Sequence, residues 1–410
     1  MSGVGERAIA ALGLVCMVAL AWLCSSNRRR FPWRTVLAGL GLQLALGAFL
    51  LRSAPGRTFF VGVSELVAAL LAYTRAGTDF VFGALRETGF SFVIDVLPIL
   101  IFMGSLFAVL YHLGVVQRVV ELLARAMSRS LGISGAESLA AVANIFVGMT
   151  EAPLLVRPYI PDMTRSELFS VMSTGMATIA GSVLLAYVQI LGGGDFAGHL
   201  VTASLLSAPA AILLAKIMVP EEGVPRTAGA GHAAVERSSV NLIDAASRGA
   251  LDGAQLAAMI GALLIAFVAL VHLLNDGLGA VGAFVGKPEL TLEWLLGLPF
   301  VPLTLLMGVP LDDALRIAPV LGVKTAFNEF LAYQELAELL REGAVAQRSA
   351  VIASYALCGF ANFGSLAILL GGLGGMAPGR RPDIARLGLR SILSGTLATL
   401  MTGCVAGLLL

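Results

Sequence analysis

Three observations predict the fold class of an all-α polytopic membrane protein: eight transmembrane helices plus two re-entrant helical hairpins in an inverted repeat, with interfacial helices. First, of 410 residues only 13% are charged and 58% are hydrophobic, and the mean hydropathy is +0.89. A soluble domain carries about 25% charged residues, so most of this surface cannot face water. Second, Ala8–Leu23, Val36–Leu51, Val93–Leu110, Leu256–Leu274 and Ser391–Leu410 each approach the ~20 residues that cross ~30 Å of hydrocarbon as a helix. The ~10-residue alternating strands of a membrane barrel are not seen. Third, segments 134–160 and 311–343 are apolar but broken midway by Gly, Pro or polar residues, as a hairpin that enters and leaves by one side would be.

In order, the first run lacks a basic leader and a small-residue cleavage site, so it reads as a retained span. Arg28, Arg29, Arg30 and Arg34 follow it, which puts that loop in the cytoplasm and the N-terminus outside. Val36–Leu51 returns outward. Phe60–Glu87 places Glu65, Arg75, Asp79 and Arg86 among apolar residues at helical spacing and reads as an interfacial amphipathic helix. Phe92–Leu113 spans, with Asp95 and His112 near its ends. Gln117–Arg129 is amphipathic, with Arg118, Arg125 and Arg129 suiting the cytoplasmic face. The first hairpin follows, broken over Gly148–Pro153, because Gly and Pro do not continue a helix. Such backbone is tolerated at membrane depth only inside protein or a watery cavity. Glu167–Leu191 spans with breaks at Thr174-Gly175 and Ala180-Gly181-Ser182. After a Gly-rich turn, Leu200–Ile217 spans, Glu221–Arg237 forms a cytoplasmic loop and Leu256–Leu274 crosses outward. Pro288–Pro310 is punctuated by prolines and reads as interfacial or re-entrant. The second hairpin has the polar tip Lys324–Phe330. Ala350–Leu373 spans, broken at Cys358–Ser365, and Arg380, Arg381, Arg386 and Arg390 precede a last span that ends outside.

The halves resemble each other. Gly175-Met176-Ala177-Thr178-Ile179 and Gly359-Phe360-Ala361-Asn362-Phe363 share Gly-x-Ala-polar-apolar, and the hairpins share Thr150 with Glu151 and Thr325 with Glu329. The charge rule brings the first hairpin in from inside and the second from outside. Paired broken segments of opposite orientation point to a transporter site near the midplane. On this reading 134–191 and 311–375 are transport regions, 1–133 and 192–310 are scaffold, and 376–410 is the last span.

Glu151 and Glu329, with Thr150, Asn328, Asn362 and Ser365, can donate to and accept from a polyhydroxylated ligand, and half-helix N-termini add donors. The blander reading is that they hold the hairpins in place. Asn144, Thr178 and unwound carbonyls near Val147 and Ile179 are hard oxygen donors that suit a cation such as sodium. Asn and Thr are also ordinary helix-packing groups in membranes. Lys324 either pairs with Glu329 or faces solvent. A net charge of +1 without a basic stripe excludes an electrostatic case for nucleic acid. Enzyme signatures such as HExxH, the Walker loop and the nucleophile elbow are absent, and Cys16, Cys24, Cys358 and Cys404 lack metal-like spacing.

Gly148-Met149-Thr150-Glu151-Ala152-Pro153-Leu154-Leu155 resembles the first-hairpin motif of the concentrative nucleoside transporters. Lys324-Thr325-Ala326-Phe327-Asn328-Glu329-Phe330 resembles their second-hairpin motif, and Cys358–Ser365 is similar to their broken seventh helix. The resemblance covers nearly the whole chain, in the bacterial length of eight spans. It implies a homotrimer in lipid of the bacterial inner membrane, with both termini periplasmic, importing nucleosides with sodium, or with protons, by an elevator movement. It implies that Met149, Thr150 and Glu151 meet the ligand from the first hairpin, that Glu329, Asn362 and Ser365 bind the ribose, and that Phe360 lines the pocket. It implies sodium ligation by the Asn144 and Thr178 side chains and the Val147 and Ile179 carbonyls. Met149 departs from the family, which commonly has Gln there to bond the base; Met has no donor. Thr178 stands where Ser is common. Two readings of other kinds stand beside this one: a polytopic enzyme acting on nucleotide-linked lipid, which needs a cytoplasmic carboxylate cluster where these loops are mainly Arg, and a passive channel, which occluding hairpins oppose.

Overall fold

The computed structural model describes residues 3–83, 85, 91–227, 239–284 and 290–410. Arg86, Glu87, Arg237 and Pro288, used above to read the chain, lie outside the described residues. Helices α1 (Gly3–Leu23), α2 (Trp33–Arg52) and α3 (Ala54–Phe82) lead to a short α4 (Phe92–Asp95), α5 (Leu97–His112) and the amphipathic α6 (Val115–Leu131). The first hairpin is α7 (Gly135–Phe146) and a 3-10 run, Ala152–Asp162. The first broken span is α8 (Arg165–Ala177) and α9 (Gly181–Ile190). Next come α10 (Asp195–Met218), α11 (Leu242–Phe284) and the short α12 (Leu292–Gly297) and α13 (Phe300–Leu306). The second hairpin is α14 (Leu311–Ala326) and α15 (Glu329–Arg341), the second broken span is α16 (Gln347–Leu357) and α17 (Phe363–Met376), and α18 (Arg381–Leu409) closes the chain.

The fold class is the one read from sequence, and local chemistry explains where the hairpins start and stop. Ser134 and Glu137 form a reciprocal capping box that starts α7, and Thr164 and Glu167 form another that starts α8. Among the described residues, eight helical segments are long and apolar enough to cross a membrane. Their membership differs in one exchange from the spans read in the sequence. Ala350–Leu373 is two half-helices, each too short to cross alone. Ala54–Phe82, read from its charges as interfacial from Phe60 onward, is one unbroken 29-residue helix with enough length and hydropathy to cross. It starts at once after α2, because Ser53 accepts from Gly56 N and caps it. Its Thr74 and Thr78 hydroxyls are buried and bond back to the Leu70 and Thr74 carbonyls, so they do not interrupt it.

The core is built from α8–α9, α10 and α18. Their most apolar stretches are 83–89% buried inside the chain, whereas that of α11 is only 11% buried. α11 lies on the outside and packs along α5 through glycines. A Cβ on Gly104 would stand 2.5 Å from the Gly249 carbonyl oxygen, and one on Gly253 would stand 2.4 Å from that of Leu100. Only small residues allow two helix backbones this close.

Candidate ligand and ion sites

The first tip is made by Gly148, whose φ of +93° a side chain would resist. α7 ends there, and Met149-Thr150-Glu151 turn into the 3-10 run. The tip sits on the break of the first broken span: a Cβ on Gly148 would come within 3.0 Å of the Ala180 Cβ, and one on Gly175 within 3.1 Å of the Met149 Cβ. Across the tip, Thr150 faces Gly372 of α17, its Cγ2 4.0 Å from where a Cβ would be. Met149 is buried, Thr150 half-buried and Glu151 exposed.

At the second tip Asn328 accepts from Leu331 N and caps α15, while Asn362 accepts from Ser365 N at 2.7 Å and caps α17. Two helix N-termini therefore open beside Glu329, and their partial positive ends favour its carboxylate. Glu329 is buried. Its Oε2 accepts from the Asn362 amide at 2.8 Å and its Oε1 from the Tyr187 hydroxyl at 2.8 Å. Tyr187, on α9, is fully buried, stacks on Tyr333 with ring centroids 4.4 Å apart and meets Phe330 edge-on. Ser365 is buried beside this cap and Phe360 is half-buried in the break. Tyr187 was not among the residues singled out in the sequence. It lies 142 positions from Glu329 on an apolar helix, and no local signal marks it.

The two broken spans cross at their breaks. A Cβ on Gly359 would lie 2.8 Å from the Ala177 carbonyl oxygen and 2.7 Å from the Thr399 Cγ2. Asn144 is fully buried and its Nδ2 reaches Thr174 Oγ1 at 3.5 Å, but its Oδ1 has no hydrogen-bond partner. Thr178 caps the end of α8 and donates to the Thr174 carbonyl at 2.9 Å, leaving its oxygen lone pairs to accept. The Val147 and Ile179 carbonyls accept no loop or cap backbone bond among the described residues. An orphaned buried amide oxygen, a hydroxyl and two free carbonyls at the ends of α7 and α8 are a donor set that fits sodium. Among the described residues no group of three or more His, Cys, Asp or Glu could hold a transition metal.

Lys324 neither pairs with Glu329 nor faces solvent. It is buried, and its ammonium donates to the Ala356 carbonyl at 2.8 Å and Thr399 Oγ1 at 3.0 Å. The five-residue likeness between the halves also resolves differently in space. Gly175 lies inside α8, whereas Gly359 lies beyond the end of α16, so those two glycines are not equivalent.

Residues 199–407 match the family described as Na+ dependent nucleoside transporter C-terminus, residues 12–85 its N-terminus, and residues 93–194 a nucleoside recognition (Gate) family. The chain belongs to the Na+ dependent nucleoside transporters. An uncharacterized transporter of Haemophilus influenzae is 44% identical over 97% of this chain and 96% of its own length. The human sodium/nucleoside cotransporter 1 is 39% identical over 98% of this chain, which spans 64% of that longer protein. A structure of CNTnw in an inward-facing substrate-bound state is 42% identical, covers 98% of each chain and superposes with a TM-score of 0.92. A doubly substituted variant of CNTnw in an outward-facing state gives 0.93. This is a family of membrane transporters and not of enzymes, so the reading as a lipid-modifying enzyme falls. Sodium is the family's coupling ion.

Proposed function

We propose that this protein imports nucleosides into a bacterium together with sodium, as a homotrimer of the inner membrane with periplasmic termini. The observation that carries the reading is the buried Glu329–Asn362 pair at the N-termini of α15 and α17. A charge this deep in an apolar protein is costly unless it has work to do. Glu329 accepts from ribose hydroxyls, and Asn362 and Ser365 hold the same sugar from the break of the second span. Thr150 and Glu151 meet the ligand from the first tip, Phe360 closes the pocket, and Met149 lies on the base side. The Asn144 and Thr178 side chains and the Val147 and Ile179 carbonyls would hold the sodium, whose passage down its transmembrane gradient would drive the nucleoside inward. Both hairpins and both broken spans move together as an elevator, because their tips and breaks interlock at Gly148, Gly175 and Gly359. The outer α5–α11 pair is the scaffold they move against. CNTnw, solved in inward-facing, intermediate and outward-facing states, supports a movement of this type.

Uptake of tritiated uridine into proteoliposomes, with sodium replaced by choline at fixed pH, tests the coupling. Uptake is expected to collapse in choline. Uptake that ignores sodium but follows an imposed pH gradient would assign coupling to protons instead.

Met149→Gln is expected to widen the range of nucleosides that compete for uptake. Gln has nearly the length of Met, so the packing of its Cβ on Gly175 is kept, while the new amide can donate to and accept from a base. A competition profile identical to that of the wild type would sink the idea that position 149 reads the base.

A further inference from the structure

Helix ends align the two repeats. α7 ends on cap Val147 and α14 on cap Phe327, while α8 ends on cap Thr178 and α16 on cap Cys358; each pair is separated by 180 positions. These C-terminal ends give hairpin and broken span one register, whereas the N-caps lie from 176 (Ser134, Pro310) to 182 (Ala180, Asn362) positions apart. In that register Lys324 is the counterpart of Asn144. Each is buried in the last turn of the first helix of its hairpin. Each reaches the last turn of the half-helix in its own repeat: Asn144 reaches Thr174 of α8, and Lys324 reaches Ala356 of α16.

The two positions differ in charge. At the first, a neutral amide leaves one buried oxygen without a partner among oxygens that suit sodium. At the second, an ammonium binds the Ala356 carbonyl of α16 at 2.8 Å and the Thr399 hydroxyl of α18 at 3.0 Å; the counterparts of Val147, Thr178 and Ile179, which are Phe327, Cys358 and Gly359, are not its partners. No carboxylate of the described residues lies within ion-pair distance of it. Both positions face the C-terminal end of a half-helix, where free carbonyls and the helix dipole present negative charge away from water. Such an end favours a cation in either repeat.

We propose that Lys324 is a tethered cation, serving permanently the half-helix end of the second repeat as sodium serves that of the first. The inference rests on the sodium reading above and deepens it: this carrier has one exchangeable ion position and one that is built in. Lys324 then travels with the moving part, and only one sodium is exchanged per nucleoside.

The test is a sodium titration, balanced with choline, read both as thermal unfolding of the purified full-length protein and as uridine uptake in proteoliposomes. The wild type should respond as one site, with a Hill coefficient of about 1, while Lys324→Asn, which repeats in the second half the residue found in the first, should respond more steeply, toward about 2. Lys324→Met, with neither charge nor oxygen, should keep the sodium response of its melting, because the first site is intact, but lose uptake. A Lys324→Asn protein that is unstable without sodium and folded with it also supports the proposal. The proposal is overturned by a folded Lys324→Asn protein with the wild-type Hill coefficient, by a Lys324→Met protein that transports as well as the wild type, or by a Lys324→Asn protein that stays unfolded at saturating sodium. A wild type whose melting and uptake both ignore sodium overturns the coupling reading instead, and is distinguished because it needs no variant.

Discussion

Glu329→Gln is expected to abolish most nucleoside uptake while leaving the fold intact. The carboxylate meets a hydrogen-bond donor on each oxygen, the Tyr187 hydroxyl and the Asn362 amide. Gln is nearly isosteric and can keep both neighbours bonded, its Oε1 accepting from Asn362 and its Nε2 donating to the Tyr187 oxygen, so the fold holds. The ribose, however, loses a charged acceptor. A hydrogen bond to a charged group is worth about 1.5–3 kcal/mol, or roughly one to two orders of magnitude in affinity. Tyr187→Phe is the informative control. It removes the hydroxyl but keeps the stack on Tyr333, so Glu329 loses orientation without losing charge, and the deficit should be smaller. Uridine uptake by both variants, with melting temperatures taken alongside, separates ligand binding from folding. Wild-type uptake by Glu329→Gln would remove Glu329 from the site.

The contrast between Glu329 and Tyr187 shows which parts of the site can be read from sequence. Glu329, Asn328 and Asn362 are legible because each is polar where an apolar run breaks, and a break at membrane depth must line a cavity or be capped. Both asparagines are helix caps, as their place at the start of an apolar run suggests. Tyr187 carries no such mark: it lies within an unbroken apolar half-helix, and only tertiary packing turns its hydroxyl toward Glu329. Lys324 was visible, but its partners were not, since a carbonyl 32 positions away and a hydroxyl 75 positions away leave no local pattern. The repeat was legible in kind, but its register was misread through Gly175 and Gly359, because a short Gly-x-Ala match recurs readily in packed membrane helices. The C-caps of α7 and α14 and of α8 and α16, set by backbone geometry, carry the register. The extent of α3 was hidden by its charges: Glu65, Arg75 and Asp79 imply an amphipathic helix, but they do not reveal that it begins directly at Ser53.

Lys216→Met is expected to destabilise the protein more than any surface change, although it lies outside the proposed ligand site. Lys216, in the last turn of α10, is 5% exposed. Its ammonium pairs with the fully covered Glu137 carboxylate, donates to Ser166 Oγ at 3.0 Å and reaches Glu221 Oε2 at 3.3 Å. It therefore ties α10 to the first turns of both α7 and α8 and to the loop after α10. That loop is itself bonded to the base of the first hairpin, since Thr227 accepts from Gly135 N and Ala136 N. Removing the ammonium leaves the Glu137 carboxylate buried and uncompensated, which costs about 3–5 kcal/mol. Adding Glu137→Gln should recover much of the loss. Gln removes the stranded charge, and Gln at the third helical position can still close the capping box with Ser134. The signature is thus a large drop in melting temperature for Lys216→Met and a partial return in the double variant. If the double variant is no more stable than Lys216→Met alone, the loss comes from packing around the lysine stem and not from a stranded carboxylate, and the ion pair is not what anchors the first hairpin.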